Sequence, residues 1–167
     1  MGYNKRGRGL SHQEDSCGLR SVSAVGGKVA SLEERQKRYA EGSTWEITKC
    51  FFPRAEQAYR VLKQIAMTSQ VAPTLTGHGG FAQYLFRFKL QEDSPYCACD
   101  PSKIQDMLHV LEDCDMFHRE RVALEAGIDV RISRRHFPEI MEDKVKIDKF
   151  LKFCGTVVKT CGKLNGK

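Results

Sequence analysis

Cys97-Ala98-Cys99, His109 and Cys114 place three thiols and one imidazole within eighteen residues, in the order C-x-C-x9-H-x4-C. Thiolate sulfur and neutral imidazole nitrogen are what Zn²⁺ takes in a closed tetrahedral site, and four such ligands leave no position for a reacting water. The chemistry implied is structural metal binding, and the rest of the chain offers no comparable set of catalytic groups. Spacing alone leaves a second account open. Free cysteines are among the most buried residue types and often act as small hydrophobes. A histidine beside an apolar stripe is commonly a satisfied core residue, and C-x-C is a tighter clip than the usual C-x2-C. Cys17, Cys50, Cys154 and Cys161 show that cysteine is simply frequent here.

The ligands need elements to position them. Pro95 predicts an extended or turned entry to Cys97 and Cys99. Asp100-Pro101-Ser102 then predicts a helix start, with Ser102 as cap and Gln105 at the capping-box distance. Ile104, Met107, Leu108 and Leu111 form its apolar stripe, with His109 beside it. Residues five apart lie about 140° apart on a straight helix. The helix must therefore end or unwind near Cys114 for both His109 and Cys114 to reach one ion, and Asp113 and Asp115 suit a break there.

Elsewhere the pattern is also mainly helical. Ser31 opens a short helix, with Glu34 at the capping-box position, that ends near Gly42. Trp45, Phe51 and Phe52 follow as core anchors. Pro53 begins a second helix, with Ala55, Ala58, Tyr59, Leu62, Ile65 and Ala66 at helical spacing. A Gly77-His78-Gly79-Gly80 turn precedes Phe81, Tyr84, Leu85 and Phe88, again one helical face. His78 reads first as a turn residue packing on its neighbours, with metal or phosphate binding as the alternative. Met116 to Ala126 reads as a helix stopped by Gly127, and Ile128, Val130 and Ile132 alternate as a short extended segment would. Pro138 precedes a final helix over 139–164. In it Ile147, Phe150, Leu151, Cys154, Val157, Val158 and Cys161 make one apolar face, which assigns Cys154 and Cys161 to packing.

The expected fold is a small, mainly α domain clipped by one zinc knuckle at 95–115. It spans 31–167 and follows a disordered basic arm at 1–30, which is rich in Gly and Ser and carries Lys5, Arg6 and Arg8. Seven cysteines, with neither a signal peptide nor a membrane span in the sequence, point to a reducing intracellular setting.

Two segments carry a family resemblance. Leu75-Thr76-Gly77-His78-Gly79-Gly80-Phe81, with Tyr84-Leu85, is followed by Cys97-x-Cys99 and then by His109-Val110-Leu111-Glu112-Asp113-Cys114. This resembles the region after the polymerase in reverse transcriptases of insect non-LTR retrotransposons, especially those inserting into ribosomal DNA or telomeric repeats. The similarity runs from about Leu32 to Asn165. It implies a zinc knuckle on Cys97, Cys99, His109 and Cys114, followed by a helix holding Arg119 and Arg121. It also implies association with template RNA or target DNA. It does not carry catalysis, because the polymerase of that family uses a paired aspartate and no Asp-Asp pair occurs in this chain. The expectation is a C-terminal portion of such an element, itself not an enzyme, whose parent is an RNA-directed DNA polymerase.

Charge refines that expectation. The chain carries a net +6, yet around the knuckle Glu92, Asp93, Asp100, Asp106, Glu112, Asp113 and Asp115 stand against Lys103 alone. Lys and Arg contacts to phosphate supply most non-specific nucleic-acid affinity. Knuckles that hold RNA bases offer aromatic platforms, and here only Tyr96 and Phe117 are near. The knuckle thus reads as a structural clip. Phosphate contact of low sequence specificity is expected from the flanks: Arg119, Arg121, Arg131, Arg134, Arg135, Lys149, Lys152, Lys159 and Lys163. Two other readings stay open: a zinc-stabilised domain that captures a protein partner through the apolar stripe of the last helix, and a translated relic without function.

Overall fold

A computed structural model of the chain describes residues 24–43, 46–90 and 94–166, with side chains from residue 32 onward. The expected arm lies outside the described residues up to 23, as does Trp45. Helix α1 (Ala24–Glu41) begins seven residues ahead of the Ser31 start and so crosses the expected boundary at 31. Then come α2 (Glu46–Phe51), α3 (Ala55–Leu62), α4 (Val71–Thr76) and α5 (Ala82–Arg87). A two-stranded antiparallel hairpin, β1 (Tyr96–Cys97) and β2 (Asp100–Ile104), leads to α6 (Met107–Glu112). A 3₁₀ turn over Asp115–Phe117, α7 (His118–Ile128), α8 (Phe137–Ile140) and α9 (Lys144–Leu164) complete the chain. The domain is mainly helical, as the periodicities require. Among the described residues no helix is long and apolar enough to cross a membrane.

Helix α9 is the axis of the core and packs against α4, α6, α7 and α8. Asp143 caps it by accepting the Val145 and Lys146 N–H groups at 2.8 and 3.1 Å. Those backbone bonds, Lys146 first, hold the Asp143 carboxyl below its ordinary range. Phe150, Cys154, Val157 and Cys161 of its apolar face are wholly buried, joined by Phe153, while Lys149, Lys152, Lys159 and Lys163 stay exposed. Phe150 meets Phe137 and Phe51 at ring separations of 5.6 and 6.1 Å, and Phe51 stacks on Phe137 at 4.7 Å. Three helices thus share one aromatic cluster. Removal of such rings from water is among the largest single gains available to a domain of this size, about 1.5–3 kcal/mol each. Within the expected stripe, Phe150, Cys154, Val157 and Cys161 are thus covered by the domain itself, while Ile147, Leu151 and Val158 remain half-buried.

Several sequence expectations are corrected here. Residues 100–104 form β2 rather than a helix start, and α6 begins only after Asp106, whose side chain caps it by accepting the His109 N–H at 2.7 Å. Ile104 lies on the exposed strand. Tyr59 is 62% exposed, and α3 ends at Leu62 before Ile65 and Ala66. Gly127 lies inside α7, which runs to Ile128 and is closed by Asp129 in the left-handed region. No strand forms over 128–132. The last helical segment is split, with Pro138 serving the short α8 and Asp143 opening α9.

The glycine turn has a packing reason. Gly77 closes α4 at φ +70°, a conformation that costs residues with a Cβ. Gly80 abuts α9, and a Cβ there would sit 2.7 Å from the Gly162 Cα. The two backbones meet directly. Asn165, just past the helix end, donates to the Gly80 carbonyl at 2.6 Å and fixes that contact. Gly80→Ala should therefore destabilise the fold by about 1–3 kcal/mol, the usual cost of overpacking, measurable as a lowered denaturation midpoint. An unchanged midpoint would show that the contact relaxes freely.

Candidate metal centre

The hairpin explains the C-x-C spacing. Cys97 and Asp100 are the last paired residues, so Ala98 and Cys99 occupy the turn. Cys97 sits at the strand end, and its sulfur accepts the Cys99 N–H. The same bonding recurs at the other arm, where the Cys114 sulfur accepts the Met116 N–H, and the Cys99 sulfur accepts the Asp115 N–H. On the Asp100 side, Oδ1 accepts the Ser102 N–H and hydroxyl at 2.8 and 2.7 Å and holds the start of β2 in shape.

Four ligand atoms converge: Cys97 Sγ, Cys99 Sγ, Cys114 Sγ and a His109 ring nitrogen all lie within 4.8 Å of one another. Cys97 and Cys114 sulfurs are 3.7 Å apart, and Cys99 Sγ is 3.3 Å from His109 Nε2. Helix α6 ends at Glu112, so Cys114 lies beyond it and turns back, as the i, i+5 argument required. The cysteines are free, not bridged. The set has the donor chemistry and spacing to hold a metal ion.

The sulfurs differ in environment. Burial pushes the Cys99 and Cys114 thiols upward. At Cys97 burial acts the same way but is outweighed by hydrogen bonds from Cys99, His109 and Gln105, which bring it down to about 7. His109 is held at both ends. Its ring Nδ1 lies 2.9 Å from Asp113 Oδ1, which leaves Nε2 facing the sulfurs. Lys103 donates to the other Asp113 oxygen at 3.0 Å. A carboxylate behind a ligating histidine fixes its tautomer and orientation. Against its own partial burial, Asp113 is kept below the ordinary carboxylate range by Lys103 and His109.

Two residues around the cluster were not legible as parts of it. Gln105, expected in a capping box, is buried and satisfied on every side. Its Nε2 lies 3.7 Å from Cys97 Sγ, and its Oε1 accepts the Ala82 N–H at 2.9 Å and Asn165 Nδ2 at 2.6 Å. Its backbone accepts from Gln83 and donates to Pro95. One side chain thereby ties the hairpin to α5 and to the end of α9. Arg121, expected to contact phosphate, is only 6% exposed and donates to the Cys114 and Leu111 carbonyls at 3.1 and 3.4 Å. It is a buried cation behind the thiol cluster, not a surface one.

The other expected contacts divide. Arg134 is clamped by Glu112, which accepts its Nη2 at 2.9 Å, its Nε and its backbone N–H. Lys149 reaches the Gly127 carbonyl at 2.7 Å. Arg119, Arg131, Arg135, Lys152, Lys159 and Lys163 are exposed and form no ion pair among the described residues. Phe117 is 3% exposed and cannot stack on a base, whereas Tyr96 is half exposed. His78 packs its ring on Tyr84 at 5.0 Å, as a turn residue would. No protein-family model, no curated protein and no solved structure matches the chain.

Cys114→Ser should abolish metal uptake and lower stability together, because site formation and folding are coupled. Cys50→Ser, outside the four-residue cluster, should leave metal uptake intact. Metal content by mass spectrometry alongside thermal unfolding separates the two. A Cys114 variant that keeps its metal would remove that residue from the ligand set.

Proposed function

We propose that the chain is a non-catalytic, nucleic-acid-associated module of a non-LTR retrotransposon reverse transcriptase, clipped by Zn²⁺ on Cys97, Cys99, His109 and Cys114. Zinc bonds of about 2.3 Å to sulfur and 2.0 Å to nitrogen place tetrahedral ligands about 3.8 Å apart for S–S and about 3.5 Å for S–N, against the 3.7 and 3.3 Å found here. Soft thiolates with imidazole favour zinc over magnesium or calcium. Four protein ligands close the coordination shell. The ion would supply folding energy and fixed geometry, with no reaction of its own.

The observation that carries the reading is the junction at Gln105. The glycine-turn segment and the Cys–His segment are the two stretches that give the sequence its resemblance, and Gln105 bonds one to the other. Both motifs thus belong to a single structural unit. Cation placement supports the rest. Lys103 and Arg134, next to the knuckle, are paired with Asp113 and Glu112, while Arg119 on α7, Arg131 and Arg135 on the adjoining turn, and Lys152, Lys159 and Lys163 on α9 are exposed and form no ion pair among the described residues. Phosphate contacts of low sequence specificity would come from Arg119, Arg135, Lys152, Lys159 and Lys163.

Zinc analysis of the purified chain, coupled to RNA and DNA titrations over a range of salt, tests this. One zinc per chain is expected, with affinity that falls as salt rises. Reversal of Arg135, Lys152, Lys159 and Lys163 to glutamate should weaken binding and flatten the salt dependence, since each lost phosphate contact releases fewer counterions. Asp115→Asn should leave binding unchanged or strengthen it. Zinc-loaded protein that binds neither RNA nor DNA at low salt would overturn the proposal.

A further inference from the structure

Three aromatic rings run in a row through the glycine turn and α5, outside the Cys–His cluster itself. His78 lies 5.0 Å from Tyr84, and Tyr84 lies 4.7 Å from Phe88, measured between ring centroids. The Arg87 guanidinium sits 5.7 Å from the Phe88 centroid. His78 is exposed and Phe88 is 51% exposed, while Tyr84 is anchored against the core. Rings left in water beside one another forgo the gain of burial, so their placement calls for an occupant.

Charge narrows the occupant. The segment 77–90 contains Arg87 and Lys89 and no acidic residue. The Gly80–Gly162 contact brings the end of α9 to the same turn, with exposed Lys163 next in sequence. Arg87, Lys89 and Lys163 form no ion pair among the described residues. An apolar peptide would use the rings and leave these cations unanswered. A duplex would use the cations but keep its base faces stacked within itself. A strand with unpaired bases uses both, since bases stack on aromatic faces and on arginine planes while phosphates meet Lys and Arg.

We propose that the His78–Tyr84–Phe88 row is a stacking platform for unpaired bases of single-stranded RNA or DNA, with Arg87, Lys89 and Lys163 on the phosphates. The proposal rests on the nucleic-acid reading above, and it adds which surface engages the strand and in what form.

The test uses the full chain and labelled single strands of about 12 nucleotides, within the span one small binding fold covers. RNA and DNA strands are compared with the same sequence in duplex form and with an abasic strand of equal length. Phe88→Ala should weaken binding of the base-bearing strands on the order of tenfold, the usual consequence of losing one base stack. It should leave abasic and duplex binding and the unfolding temperature unchanged. Phe88→Trp should restore affinity, and Arg87→Gln should lower the salt slope. If the wild-type chain binds strands and Phe88→Ala binds them equally well, the platform is wrong and the module's nucleic-acid role stands. An equal loss on all probes, or wild-type binding as tight to the abasic strand, also overturns the platform. Absence of wild-type binding to any probe removes both readings.

Discussion

Three sulfurs drawn to within bonding reach of one ion, in a buried pocket, set the terms for this domain. As thiolates they would repel strongly at such separations in a low-dielectric interior. As neutral thiols they are poor hydrogen-bond partners for the backbone amides aimed at them. At 3.7 Å the Cys97 and Cys114 sulfurs are far outside the roughly 2.05 Å of a disulfide. A metal cation would resolve the conflict, and the amides from Cys99, Asp115 and Met116 would then serve to spread the thiolate charge. Three thiolates with one divalent ion would still leave about one negative charge. The buried Arg121 guanidinium, bonded to the carbonyl of a ligand residue, is placed to balance it.

The remainder of the fold is arranged so that this cluster forms only when the whole domain is assembled. Cys97 and Cys99 come from the hairpin, His109 from α6 and Cys114 from the turn after it. Gln105 then connects that unit to α5 and to the end of α9, and Arg121 connects it to α7. Helix α9 joins the two halves of the molecule. Its first turns carry the aromatic cluster with α2 and α8 at Phe150, and its end, at Gly162 and Asn165, meets the glycine turn. Formation of the Cys–His cluster and packing of the helices are therefore linked through the same side chains, and a metal held there would be coupled to folding.

What the sequence made legible follows from how local each signal is. The convergence of Cys97, Cys99, His109 and Cys114 was readable because thiolate and imidazole chemistry depends on residue type. The break before Cys114 followed from helix geometry alone. The α9 stripe was readable because a long amphipathic helix repeats its pattern many times. Misreadings fell where a local pattern was overridden by distant partners. Ser102 and Gln105 satisfy the capping-box spacing, yet Gln105 is recruited into the core by Ala82 and Asn165, and residues 100–104 pair with β1 instead. Asp106 takes over as cap. Pro138 gave a valid helix-start signal, but for a four-residue helix, and the true α9 cap at Asp143 lay five residues on. Arg121 resembles its surface neighbour Arg119 in sequence; only the three-dimensional position of the Cys114 carbonyl separates them.

The acidity of the knuckle takes on a different meaning once each carboxylate is located. Asp100 shapes the start of β2, Asp106 caps α6, Asp113 orients His109, and Glu112 pins the 131–136 turn through Arg134. Four acids thus have internal tasks in building and steadying the metal site. Those tasks need acceptors close to the ligands, and each added carboxylate makes the same surface less welcoming to phosphate. A knuckle stabilised in this way cannot also be the main anionic-ligand surface of the domain. Exposed cations without an ion pair among the described residues lie both beside it, at Arg131 and Arg135 on the turn that Glu112 pins, and elsewhere, on α9 and at Arg87 and Lys89. Acids and bases meet at this edge of the cluster, where Glu112 neutralises Arg134 and leaves Arg131 and Arg135 unpaired among the described residues, because a carboxylate committed to one guanidinium has little left for its neighbours.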